Sequence, residues 1–261
     1  MNDNMILNIP HASTWITGVH CPPAVNISTV HGAYMRMLRK QLLPMTDWYT
    51  DELFINGMGI PIVAPVSRII CDTERFRNDE DEPMARIGMG VCYARTYDLK
   101  YPITWRKGHK EWVLENLYDV HHRNLELAVD RTLSEHGKVL ILDCHSFSPV
   151  PLPYEPDQDP DRPDICIGTD PFHTPQELIE KTQRFFKDKG FSVEINRPYS
   201  GTIVPLRHLN RDKRVNSLMI ELNRGLYLKD GTKEKNDFFP ILKQHLKEYQ
   251  EKVIHPDGSH H

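Results

Sequence analysis

Along the chain, short apolar runs alternate with longer stretches in which apolar positions recur every three or four residues. Residues 5–9 (MILNI) are apolar but for one asparagine and stop at Pro10, the pattern of a buried strand. Further strands are expected over residues 60–66 (IPIVAPV), 139–142 (VLIL), 165–167, 191–195 and 218–222. Helical spacing covers residues 30–43, 48–55, 112–133, 175–189 and 238–253, with Thr46 or Asp47 as a cap before the second helix and Gly190 just past the fourth. Strands that alternate with helices predict an α/β domain with a mainly parallel sheet, and leave the strand order open. Two stretches fit neither pattern. Residues 71–90 are densely charged, and residues 149–163 hold six prolines, which resist both helix and central strand. Long loops of this kind in a compact domain are candidate lids or binding loops.

Composition narrows the class. The 261 residues fit a single domain over residues 1–257, with GSHH at 258–261 set aside as a tag remnant. Lysine plus arginine total 32 and aspartate plus glutamate 36, a net charge of −4, which argues against a nucleic-acid partner. Apolar residues make up 39% and charged residues 26%, the profile of a soluble globular protein. No apolar run approaches the ~20 residues of a membrane helix, so no membrane partner is expected. The first residues lack a basic segment before a long apolar stretch, so no secretory leader is expected. The five cysteines, Cys21, Cys71, Cys92, Cys144 and Cys166, form no CxxC pair, which speaks against a zinc knuckle and fits a reducing cytoplasm. GxGxxG and GxxxxGK[ST] are also missing, which leaves nucleotide binding without support.

Ligands of open α/β sheets bind beyond the carboxyl ends of the strands. His11 follows the first expected strand, Ser67 and Arg68 the second, Asp143-Cys144-His145-Ser146 the third, and Arg197 and Tyr199 the fifth, while Glu221 lies within the last. One histidine at a strand end serves as a turn residue as readily as a ligand. Two such histidines favour a metal, and imidazole suits zinc, which takes three protein ligands and a water in catalytic sites. Asp47 and Asp51, four apart in TDWYTDELF, are the carboxylates that could complete the set, although acids at a helix start also simply favour its dipole. Asp143 suits the outer partner of a ligating histidine. Glu221 shares a strand face with Met219 and Asn223, opposite Leu218, Ile220 and Leu222; it is either an ion-pair partner or a general base. Arg68, Arg75, Arg77 and Arg197 flank strands, and guanidinium forks suit a carboxylate-bearing guest. Periodicity does not say which of His121 and His122 faces inward. A cysteine or serine hydrolase built on DCHS is the rival chemistry, but neighbours along a strand point to opposite faces and no GxSxG elbow is present.

With these residues in place, the chain resembles the N-formylglutamate amidohydrolase family from about Ile6 to Tyr227. The matching pieces are NIPHAS, TDWYTDELF, VSRIICDTERF with DEPMARIGMGVCYART, DVHHRNLELAV, GKVLILDCHSFSP, PDICIGT, NRPYSGTIVP and MIELNRGLY. The resemblance implies a zinc-exopeptidase-like, three-layer fold with a mixed, mostly parallel sheet between helices. It implies a metal hydrolase of histidine degradation acting on a small anionic N-acyl amino acid. Carried over by motif, His11 and His145 are ligands of zinc or another divalent ion, with Asp51 the third ligand and Asp47 its rival. Glu221 is then the general base, His122 a further catalytic position, and Arg68, Arg75, Arg197 and Tyr199 substrate-binding positions. One departure stands out: PHAS replaces a PHSG-type turn, so glycine is missing after His11.

Overall fold

A computed structural model of the chain describes residues 4–16 and 29–254; Cys21 and the 258–261 segment lie outside them. The elements in chain order are β1 (Met5–Ile9), α1 (Thr29–Met45), α2 (Thr50–Phe54), β2 (Ile60–Val63), α3 (His109–Val113), α4 (Asp119–His136), β3 (Val139–Phe147), β4 (Ile165–Gly168), α5 (Gln176–Asp188), β5 (Val193–Ile195), β6 (Val215–Asn223) and α6 (Phe239–Tyr249). The strands form one sheet in the order β2-β1-β3-β6-β4-β5. All neighbours are parallel except β4 with β6, so the sheet is mixed and mostly parallel, with helices on both faces. β2 lies at an edge, where Pro61 withholds no hydrogen bond that a central strand needs.

Two strands run longer than the apolar pattern foretells. β3 and β6 pair in register from Val139↔Val215 to Phe147↔Asn223, so Asp143 to Ser146 lie inside a strand rather than after one. Their ladder satisfies the backbone of this polar segment, which apolar content alone cannot reveal. The long helical pattern is also longer than expected. α3 and α4 are joined by a π-helical turn over Leu114–Tyr118, and α4 ends on Gly137 in the left-handed conformation (φ 74°).

The two sheet faces differ, and that difference locates the site. One face, with Leu7, Ile9, Leu142, Cys144, Leu218 and Ile220, is apolar through its centre and packs on α2, α5 and α6. The other face is apolar only where the parallel strands begin, at Ile6, Val139, Ile141 and Val215, which pack on Leu125, Val129 and Leu133 of α4. Farther along the same face the residues become Asn8, Asp143, His145 and Glu221, all buried. A separate cluster of Leu38, Met45, Ile69, Met89, Tyr93 and Leu152 joins α1 to the loops that roof this end.

Candidate active site

Two histidine rings meet beyond β1 and at the end of β3, their centroids 5.1 Å apart. His145 Nδ1 lies 3.3 Å from Asp47 Oδ2, and His11 Nδ1 lies 3.7 Å from the same oxygen and has no hydrogen-bond partner among the described residues. Each ring is fixed from behind. His11 Nε2 sits 2.9 Å from Asp72 Oδ1 and His145 Nε2 sits 3.0 Å from Asp143 Oδ1. Two imidazoles backed by carboxylates, with a third carboxylate in front, match the donor set of a zinc site. The candidate ligand atoms of His11, Asp47 and His145 all lie within 4.8 Å of one another. Glu74, Asp143 and His145 form a second such group, but its shared ring nitrogen is already held by Asp143. The residues therefore fit a divalent ion, and the fit is best at His11, Asp47 and His145.

The third position corrects the expectation. Asp51 is exposed, and its Oδ1 accepts the N–H of Glu52 in its own helix. Asp47 is instead buried in the turn before α2, its Oδ2 accepting the N–H of Ser146 at 3.1 Å. The two acids do not share a helical face because Tyr49, at φ 64°, breaks the chain direction between them and α2 starts only at Thr50. Burial opposes ionisation of Asp47, yet hydrogen bonds and charge from His11 and His145 hold it well below the usual carboxylate range. Ala12 and Ser13 are not among the residues with positive φ, so the turn after His11 needs no glycine.

Glu221 stands beside His145 across the β3–β6 ladder, 7% exposed, with Oε2 lacking a hydrogen-bond partner among the described residues. Burial pushes its carboxyl up to about 8 against the pull of His145. Both residues line a cavity of about 190 Å³ with His11, Asp47, Arg68 and Arg224. Arg68 donates to Asp72 Oδ2 (2.9 Å) and to the Tyr93 hydroxyl (2.8 Å). Arg224 donates to the backbone carbonyls of Thr46 and Pro44, so among the described residues its charge faces the cavity without a carboxylate partner. Arg75 lines the cavity, 3.5 Å from Asp72 Oδ2, and Tyr199 lines it with its hydroxyl donating to Glu155 Oε1 at 2.7 Å.

Two expected positions are elsewhere. Arg197 binds Glu194, Asp159 and the carbonyl of Asp161 and does not line this cavity. It follows β5, which runs with β4 against the other strands, so its strand end points away from theirs. His122 lies on the wall of a neighbouring cavity, its Nε2 2.9 Å from the carbonyl of Thr73, whereas His121 faces inward and meets Asn8 Oδ1 at 3.1 Å. The sequence reading missed Asp72, Arg224 and Glu74. Their signals were the carboxylate four after Arg68, the arginine just after the last strand, and the acid beside Arg75. Cys144 is buried in the apolar core on the face away from His145, and burial pushes its thiol well above the usual range, which disposes of the cysteine-hydrolase rival.

Comparison with known proteins agrees with this architecture. The crystal structure of N-formylglutamate amidohydrolase from Ralstonia eutropha superposes with a TM-score of 0.75 at 23% identity, covering 97% of this chain and 95% of that one. A gene product of Agrobacterium tumefaciens superposes with a TM-score of 0.57 at 15% identity, covering 97% and 92%. No curated protein matches the chain in sequence. The family model for N-formylglutamate amidohydrolase matches residues 3–228, a span that contains every residue of the site, and the chain belongs to that family.

Proposed function

We propose that the protein is a metal-dependent amidohydrolase that cleaves N-formyl-L-glutamate to formate and glutamate. The observation that carries this reading is the convergence of His11, Asp47 and His145 beside Glu221 in a cavity that also presents Arg68 and Arg224. His11, Asp47 and His145 would hold a divalent ion, zinc or another by availability, which would supply Lewis-acid polarisation of a carbonyl and activation of water. The protein's own groups do the rest. Arg68 and Arg224 clamp the substrate carboxylates and orient the amide, which converts binding into alignment. Glu221 takes a proton from the attacking water and returns it to the amide nitrogen as the C–N bond breaks. A carboxyl raised toward neutrality suits both halves of that transfer. Asp72 and Asp143 keep the two rings in the tautomer that presents Nδ1. Among the described residues no helix is long and apolar enough to cross a membrane.

The test is elemental analysis of tag-free protein together with formate release from N-formyl-L-glutamate. One divalent ion per chain and release that a chelator abolishes are expected. Release that survives complete metal removal overturns the metal-dependent reading. A fully loaded protein that releases no formate overturns the substrate.

A further inference from the structure

The cavity at the candidate metal centre is small. At about 190 Å³ it falls below the ~300–1,000 Å³ usual for small-molecule sites. A second cavity of about 670 Å³ adjoins it, and both are lined by Glu74, Arg75, Ser200 and Met219. Arg68 and Arg224 line only the first, so a substrate whose carboxylates lie on them keeps those carboxylates out of the second cavity and leaves its other end free to reach the shared wall. That other end is the acyl group.

The second cavity has the character of an apolar receptor. Ile203, Val204, Leu206 and Leu209 supply one wall, and Phe76 and Tyr118 add aromatic surface. Leu206 is 70% exposed and Phe76 53% exposed, so apolar side chains stand open to solvent around this chamber. Exposed apolar groups gathered at one opening are a mark of a binding site. Charge argues in the same direction. Arg75, Arg77 and Arg123 are offset by Glu74, Asp119, Glu126 and Asp143, and Arg77 is already forked on Asp119 at 2.8 and 3.0 Å. The chamber thus offers no surplus cation for an anionic acyl group.

Resting on the amide hydrolysis proposed above, we infer that the second cavity is an acyl-chain chamber and that the enzyme cleaves N-acyl glutamates carrying a medium-length aliphatic acyl group. The chemistry is the same: the water oxygen adds to the acyl carbon, the C–N bond breaks, and the proton passes to the amine. The products are a fatty acid and glutamate. Met219 and Ser200 line both cavities and stand where the chain would cross from one to the other.

The test measures glutamate release by the metal-loaded full chain from N-formyl-, N-octanoyl- and N-succinyl-L-glutamate. Octanoyl is expected to be cleaved with KM lower than that of formyl by about tenfold or more, because each buried methylene adds a several-fold gain in binding. Leu206→Asp and Phe76→Asp sit at exposed positions that tolerate substitution. Each is expected to reduce the octanoyl-to-formyl ratio of kcat/KM by about tenfold by placing a charge where the methylenes bind. Formyl cleavage without octanoyl cleavage overturns the chamber and leaves the parent reading intact. Octanoyl cleavage without formyl cleavage supports the chamber and overturns the formyl substrate. Cleavage of neither overturns both, and a preference for succinyl over octanoyl, or variants that change both substrates equally, overturns the chamber.

Discussion

Among the described residues, the nitrogen that His11 turns toward Asp47 has no hydrogen-bond partner, while its other nitrogen is held by Asp72. A buried polar atom left in this way is costly unless something else satisfies it, and a cation between His11, Asp47 and His145 would do so. The choice between two neighbouring acids follows from the same geometry. Asp47→Ala is expected to abolish metal binding, and Asp51→Ala to leave metal content and turnover as in the wild type, both read by elemental analysis and formate release. Metal loss in the Asp51 variant instead would refute the assignment. Glu221→Gln should retain the metal and lower kcat by about 10²–10⁴; unchanged turnover would remove Glu221 from proton transfer. At this scale His11, His145 and Glu221 were legible because polar residues at the ends of apolar runs stand out. Asp47 stood only as the rival of Asp51 because one left-handed residue, Tyr49, decides which of two acids turns inward. Arg224 was hidden because nothing local distinguishes an arginine bound only by carbonyls from one on the surface.

The proline-rich segment gains its order from charge. Arg162 and Glu155 form a salt bridge with side chains only 2% and 3% exposed, and Tyr199 donates to the same glutamate. Arg162 also donates to the carbonyls of Ser148 and Asp157, which pins both ends of the loop over the cavity. Arg197 adds a second clamp on Asp157 and Asp159, so the arginine expected to hold substrate holds the loop instead. The loop is a fixed roof at these points rather than a free lid. Arg162→Ala leaves the Glu155 carboxylate buried with the Tyr199 hydroxyl but without its cation, and such a loss is expected to destabilise the fold by about 3–5 kcal/mol. A lowered urea midpoint with a raised KM is the signature. A midpoint within error of the wild type would mean that the pair contributes nothing to the roof. Prolines alone told of a loop here, but not of its anchoring, because the partners of Arg162 are set by tertiary packing. The reversed direction of β4 and β5 was equally unreadable, since apolar content is blind to strand direction.

Across the molecule, the polar half of one sheet face is a continuous buried network, and it ties the candidate metal centre to the stability of the whole fold. His121 on α4 donates to Asn8 Oδ1, and the Asn8 amide donates in turn to Glu74 and Asp143, each at 2.8 Å. Asn8 has only its oxygen left to accept, so His121 presents Nε2–H to it. Burial, with the nearby histidines adding to it, lowers the His121 pKa from 6.5 to about 4. Because the folded value lies below the unfolded one, the unfolded chain binds the extra proton in between. Stability from this group is therefore full above pH 6.5 and is lost as the pH falls toward 4. Glu74 acts with the opposite sign: burial and the charge of Asp143 raise it to about 8, so its contribution is lost as pH rises. A single stability curve mixes the two, and a subtraction separates them. The difference in unfolding free energy between wild type and His121→Gln is expected to change by about 3 kcal/mol between pH 7 and pH 4, moving in favour of the variant in acid. The amide of the introduced glutamine can still donate to Asn8, so the difference reports the proton and not the hydrogen bond. A difference that stays constant across that range would show that His121 takes up its proton in the folded state at its ordinary pKa, and would break the link between the α4 histidine and the buried network.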